Sequence, residues 1–266
     1  MRLAAIPEIR ATHLRNLAVF AGAWLLALVV VAIVFVARPG GPDAVQYWLT
    51  WHGNPYAQVL YPPPALLLFV PAAFLPQSWF VALWTGLLVA AATWLVWPLP
   101  ARLRLPVWIA LAATTGWGNV AMLLAVAVAL APRFPLTWGL VGWVKITPAV
   151  AAVSLVRQRR WRAIASIAVP SAVLAVALLV LVPDTVGGWL RALTVGGPVV
   201  GDNFMRSWLP VTIPVAVRVP IAAAIAWWYG SSRPWTLAVA ALLATPDVSL
   251  ATCGMLAAVP RLVMSR

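Results

Sequence analysis

The sequence predicts an all-α membrane protein, a polytopic transmembrane helical bundle of about nine or ten membrane helices. Three observations carry that fold class. Only 9% of the 266 residues are charged, against about 25% in a soluble domain. Several apolar runs reach or approach the ~20 residues that span a bilayer. A β-barrel would show ~10-residue alternating segments, which this chain lacks. No stretch is polar enough for a separate soluble unit, so residues 1–266 read as a single integral membrane domain.

The balance of charge sharpens the class. Eighteen basic residues against five acidic ones give a net charge of +13. The arginines are scattered between apolar runs, where they orient the chain by the positive-inside rule rather than bind nucleic acid. Cys253 is the only cysteine, which excludes an intrachain disulfide and a thiolate metal cluster. No metal-ligand spacing appears and no cofactor is implied.

The elements follow in order. Residues 1–16 carry Arg2, Arg10 and Arg15 and belong in the cytoplasm. Leu17 to Ala37 is too long for the apolar core of a signal peptide and lacks a cleavage site, so it is a retained first span. Residues 38–62 form the first outer loop. Its Pro-Gly-Gly-Pro start breaks the span, and Asp43 to His52 makes an amphipathic helix rich in Trp and Tyr, suited to the interface. Tyr61-Pro62-Pro63-Pro64 launches a second span, Ala65 to Leu75, because prolines belong at a helix start. Ser78 to Trp97 is the third span, and Pro98 to Pro106 a loop.

Val107 to Thr115 and Asn119 to Ala131 are each short for a crossing and are separated by Gly116-Trp117-Gly118. They either cross twice or re-enter, with Pro132 to Pro135 outside. Helices broken at membrane depth must cover their open backbone with protein or a wet cavity. Leu136 to Val156 is a full span containing Lys145, and the cluster RQRRWR, residues 157–162, fixes its far end in the cytoplasm. Ala163 to Val182 runs outward to a long outer segment, residues 183–218. Val219 to Tyr229, Trp235 to Thr245 and Val248 to Val259 complete the bundle. Asp43, Asp184, Asp202 and Asp247 then all fall outside, and only Glu8 inside. Acidic residues barely influence topology, so this one-sidedness points to an outward-facing active site.

Several residues stand out chemically. Asp43 follows a span and lies next to apolar surface, where a carboxylate loses hydration and becomes a stronger base; as Asp after Pro-Gly-Gly-Pro it also suits a helix N-cap. Lys145 is the only lysine, mid-span, where a cation costs roughly 2.5–3.5 kcal/mol unless a cavity or partner receives it. It binds an anion or makes a structural contact. Asn119 either binds a hydroxyl or caps its helix. Tyr47, Trp48 and Trp51 fit an interfacial belt or a sugar platform. His52 is an acceptor-assisting group or a surface one. Arg206 and Arg218 are weaker anion candidates.

With these residues placed, the chain resembles the GT-C superfamily of membrane glycosyltransferases. Its nearest group is the polyprenyl-phosphate-mannose-dependent alpha-mannosyltransferases of glycosyltransferase family 87. The resemblance rests on blocks in order: Asp43 and Tyr47 after the first span; YPPPALLLFVPAAFLP from Tyr61; GWGNVAMLLAVAVALA from Gly116; GLVGWVKITP from Gly139, followed by RRWR; and TPDVS from Thr245. Where the family's late turn usually bears histidine, this chain has Asp247.

That resemblance implies a multi-pass protein of the bacterial plasma membrane whose active site faces away from the cytoplasm. It implies inverting transfer of a sugar, mannose, from a polyprenyl-phosphate donor to a cell-envelope glycan or glycolipid. On that reading Asp43 is the general base and Asp247 its catalytic companion. Lys145, Arg206 and Arg218 face the donor phosphate, while Tyr47, His52, Tyr61 and Asn119 face sugar or acceptor. Membrane lipid is the remaining partner. A glycine-rich loop that would cradle a nucleotide sugar is absent. A transporter or flippase for a lipid-linked sugar, or a non-catalytic scaffold, is the competing expectation.

Overall fold

Proline placement decides how many of the apolar runs become crossing helices. The structure, a computed structural model, describes residues 5–37, 42–53, 56, 61–194, 213–246 and 248–264. Every regular element among them is helical. Three helices are long and apolar enough to cross a membrane: Leu14–Ile33 within α1 (Ala5–Ala37), α4 (Gln77–Val96) and α10 (Trp161–Leu181). The remaining apolar runs are shorter or broken, so the expected nine or ten spans do not form among the described residues.

Two runs expected to cross are the instructive failures. Ala65 to Leu75 becomes α3 (Pro63–Leu66) followed by 3₁₀ turns over Leu67–Ala73, with Pro71 inside. Proline removes the N–H that would bond back to Leu67. This segment lies under the amphipathic helix α2 (Pro42–Leu49), whose Trp48 donates its indole N–H to the Leu75 carbonyl at 2.8 Å. Leu136 to Val156 splits into α8 (Thr137–Val144), 3₁₀ turns over Thr147–Ala152 and α9 (Val153–Arg157). Pro148 explains the split, because its ring clashes with the carbonyl four residues back, at Val144, where α8 stops. Lys145 is extended there, at φ −139° and ψ 111°.

The expected loop over Pro98 to Pro106 is corrected too. A helix begins at Ala101 with Pro100 as its N-cap: α5 (Ala101–Ala110), then α6 (Ala112–Gly116). After a turn the chain returns as α7 (Ala121–Leu130). Beyond α10 come α11 (Pro183–Thr194), α12 (Val215–Tyr229) and α13 (Thr236–Leu243). The expected last span over Val248 to Val259 is instead 3₁₀ over Thr252–Ala258, then α14 (Val259–Met264).

The arginines of the turns around Pro98, Pro132, Arg157 and Arg233 collect at one end of the bundle, with Arg261. Arg160 donates to the Pro132 carbonyl at 3.4 Å, and Arg261 to the Trp94 carbonyl at 3.0 Å. Arg104 lies 4.7 Å over the Trp97 ring. Leu262 and Arg233 line one cavity, and the Gly230 backbone abuts Ser154. Pro132 to Pro135 therefore sits with Arg157 to Arg162, not opposite it as expected. Arg102, Arg104 and Arg133 on these turns were the signal for it. The error came from counting Ala65 to Leu75 as a crossing; counting Leu136 to Val156 as a second one cancelled it.

Three hairpins consequently rise from the arginine end: α5–α6 with α7, α8 with α9, and α13 with α14. Their tips lie at residues 117–120, 145–146, and 245–246 with 248–251. Buried Phe69, Trp84, Met122, Trp138 and Met255 pack between them. Helix α10 has no fully buried residue; Ile164 and Ile167 pack against the core, and its exposed apolar face suits hydrocarbon.

Candidate active site

The tip at residues 117–120 is built to receive α2. Gly118 adopts φ +73°, a conformation that glycine enters without penalty. A Cβ there would stand 2.7 Å from Ala44 Cβ and 2.9 Å from the Ala44 nitrogen. The first turn of α2 thus rests directly on the glycine backbone. The Asp43 N–H donates to the Trp117 carbonyl at 3.2 Å, and the Trp84 indole N–H holds the Gly118 carbonyl at 2.7 Å.

That docking aims one side chain from each piece at the other. Asn119, buried, donates from Nδ2 to Asp43 Oδ2 at 2.6 Å. Its Oδ1 accepts the Ala121 N–H at 2.8 Å. The second bond fixes which way the amide faces, so the first is a true N–H donation to a carboxylate, stronger than a neutral pair. Asp43 is the second residue of α2, inside the first turn. Its carboxylate reaches a residue 76 positions away, not only its own helix end. Of the two expectations for Asn119, the structure shows the bond to the start of α7; its amide nitrogen is turned to Asp43.

Tyr47, one turn beyond Asp43, carries the arrangement onward. It is 1% exposed, stacked on Phe69 at 4.2 Å and edge-on to Trp84 at 5.4 Å. The interfacial belt expected of it is therefore a core position. Its hydroxyl meets the Tyr61 hydroxyl at 3.1 Å and accepts the Val120 N–H at 3.4 Å. Burial above all, then the nearby Tyr61 and Asp43 charges, pushes the Tyr47 phenol well up, so it stays protonated and can donate. Lys145, at the second hairpin tip, places its ammonium 5.9 Å from the Tyr61 ring centroid, within cation–π range. Asn119, Asp43, Tyr47, Tyr61 and Lys145 thus form one continuous group drawn from four separate segments.

The third tip joins from the other side. Thr114, in the helix leading to Asn119, donates to the Ala251 carbonyl at 3.2 Å. Gly254 packs so closely on Thr114 that a Cβ would lie 2.7 Å from its methyl carbon. Arg218 holds the opposite flank. It is 4% exposed and donates to the carbonyls of Ile213, Leu243, Thr245 and Pro246 at 2.7–3.1 Å. Its expected phosphate contact is corrected by that geometry: the guanidinium is already engaged with the end of α13 and the Thr245-Pro246 break. The reason is legible in chemistry, since a helix end leaves carbonyls unserved and buried arginine has five donors.

Asp247 and Arg206 lie outside the described residues. The backbone on both sides of residue 247 is nonetheless anchored, by Arg218 before it and by the Ser249–Thr252 hydrogen bonds after it. His52 is not brought to the group. It lies past the far end of α2, exposed, stacked on Trp48 at 3.7 Å. Trp84, Gly118 and Thr114 are supporting residues that sequence reasoning did not place there; Gly116-Trp117-Gly118 was their nearest signal. Among the described residues no group of three His, Cys, Asp or Glu could hold a metal ion.

Comparison with known proteins adds one positive finding. The family described as glycosyltransferase family 87 matches residues 59–263. The match takes in all three hairpins, Tyr61, Asn119 and Lys145, while Asp43 and Tyr47 precede it. No curated protein and no solved structure matches the chain.

Proposed function

The chain belongs to glycosyltransferase family 87, a membrane glycosyltransferase, and from that premise we propose that it transfers mannose from a polyprenyl-phosphate donor to a cell-envelope glycan or glycolipid. The observation that carries this reading is the Asn119–Asp43 hydrogen bond, 2.6 Å, with Lys145 reached through Tyr47 and Tyr61. A carboxylate held by neutral donors at one side, and a cation at the other, is what a displacement at a sugar carbon requires.

In the proposed step the acceptor hydroxyl attacks the anomeric carbon from the face opposite the phosphate. Asp43 takes the hydroxyl proton as the new C–O bond forms. The bond from the anomeric carbon to the phosphate oxygen breaks, and its electron pair leaves with polyprenyl phosphate, producing inversion. Lys145 offsets the charge that grows on that oxygen. Tyr61, half-buried, lies between base and cation, where its hydroxyl can orient the sugar; buried Tyr47 holds that hydroxyl in place. Asp247, between the anchored residues Pro246 and Ser249, is the proposed companion that orients the acceptor. Arg206 is retained as a second phosphate contact; Arg218 is not.

The arginine end is assigned to the cytoplasm by the positive-inside rule, which puts Asp43 on the far side of the plasma membrane. The test is incubation of the purified protein in lipid with radiolabelled polyprenyl-phosphate-mannose and a crude envelope acceptor, without nucleotide sugar or ATP. Label should pass to the acceptor, and Asp43→Asn should stop it. Label that crosses the bilayer with no acceptor modified would make the protein a transporter instead.

A further inference from the structure

A second site lies at the opposite end of the bundle, outside everything the transferase reading uses. A cavity of about 290 Å³ opens there between the turn before α13 and the C-terminal helix. Arg233, Pro234, Trp235, Leu262 and Val263 line it. Its chemistry is divided. One wall carries a guanidinium, and the other walls are apolar, with Val263 half exposed.

The arginine is the informative member. Three arginines at this end, Arg104, Arg160 and Arg261, use side-chain donors on the backbone carbonyls of Leu99, Pro132 and Trp94. The Arg233 guanidinium makes no hydrogen bond to the described residues; its central carbon lies 5.9 Å over the Tyr229 ring. No carboxylate lines the cavity. Arg261 is stacked 4.1 Å from the Trp94 ring, which ties α14 to α4 and fixes the wall formed by Leu262 and Val263. Trp235 in the lining and Tyr229 beside Arg233 are both exposed, and such aromatic residues mark headgroup depth in a bilayer.

We propose that this cavity binds an anionic phospholipid of the leaflet at the arginine end, with the lipid phosphate on Arg233 and the glycerol and upper acyl chain against Trp235, Leu262 and Val263. The argument is complementarity of two kinds at once. A planar fork of donors fits phosphate oxygens, a basic pocket between membrane helices is suited to anionic headgroups, and the apolar exit along Val263 fits a hydrocarbon tail rather than a soluble anion. The proposal does not depend on the glycosyltransferase chemistry.

The experiment titrates the full-length protein, in neutral detergent, with short-chain phosphatidylglycerol, the matching phosphatidylcholine, and inorganic phosphate, reading bound lipid by native mass spectrometry. Saturable retention of phosphatidylglycerol is expected, with weak retention of phosphatidylcholine and no displacement by millimolar phosphate. Arg233→Gln should weaken phosphatidylglycerol binding about tenfold, equivalent to about 1.4 kcal/mol. Val263→Trp, which fills the cavity and keeps the charge, should weaken it comparably. Equal affinity for both lipids, displacement by inorganic phosphate, or unchanged binding in both variants overturns the site.

Discussion

Helices α2 and α11 begin alike and end up doing different things. Each follows a long apolar helix, each opens on Pro-Asp, at Pro42-Asp43 and Pro183-Asp184, and each has an acidic residue in its first turn, where it complements the helix dipole. Asp184 is exposed. Asp43 is half-buried and bonded to Asn119. The difference comes from what lies underneath. Gly118 lets the α2 backbone settle onto a hairpin tip, with a Cβ position only 2.7 Å from Ala44. Helix α11 has no such contact at its start; its close approach comes from its own Gly188, whose Cβ would sit 3.3 Å from the Tyr56 ring, a side chain that can yield. A Pro-Asp helix start is common punctuation; contact with an interrupted helix makes it a candidate site.

Substitutions at paired positions should show that difference. The largest effect is expected at the carboxylates. Asp43→Asn keeps the shape and removes the base, so turnover should fall roughly 10²–10⁴-fold, while Asp184→Asn should leave it within twofold. Equal losses would abolish the distinction between the helices. The glycines come next. Gly118→Ala meets both a left-handed backbone and a clash with Ala44, and should cost about 2–4 kcal/mol of stability with loss of transfer. Gly188→Ala should cost under about 1.5 kcal/mol, measured by thermal unfolding in the same detergent.

Much of this site was legible before the fold was. Asp43, Tyr47, Tyr61, Asn119 and Lys145 stood out as polar or charged residues in apolar surroundings, and the structure gathers all five. The three long helices were also legible, because nothing interrupts their apolar runs except Pro170, inside α10. What failed was the number of crossings. Hydropathy measures whether a run can enter hydrocarbon, not whether it emerges on the other side. Pro71 and Pro148 turn two apolar runs into short or hairpin segments without making them less apolar. Arg218 was misread for a related reason: which acceptors surround an arginine depends on which helix ends reach it. The helix supplying them, α13, follows 18 residues later in sequence.

Smaller effects refine the account. Asn119→Ala should lower turnover about tenfold and leave the acceptor KM unchanged, because Asn119 acts through Asp43; a raised KM with unchanged turnover would make it an acceptor ligand instead. Arg218→Ala should lower stability by at least about 2 kcal/mol, since it leaves buried carbonyls without donors. Protein that remains folded should keep the donor affinity of the wild type. Tyr47→Phe removes a hydroxyl bonded to Tyr61 and the Val120 N–H, and about 1 kcal/mol is expected from that loss.

The division of labour between Asp43 and Lys145 is the centre of the account, and one paired measurement reaches it directly. Equilibrium binding of polyprenyl-phosphate-mannose and single-turnover transfer would be measured on the same preparations of Asp43→Asn and Lys145→Met. Asp43→Asn should bind donor like the wild type and transfer it roughly 10²–10⁴-fold more slowly. Lys145→Met should lose donor affinity, and Lys145→Arg should recover part of it, because a planar fork replaces a point charge imperfectly. Normal donor affinity in folded Lys145→Met, or full-rate transfer by Asp43→Asn, would contradict the account.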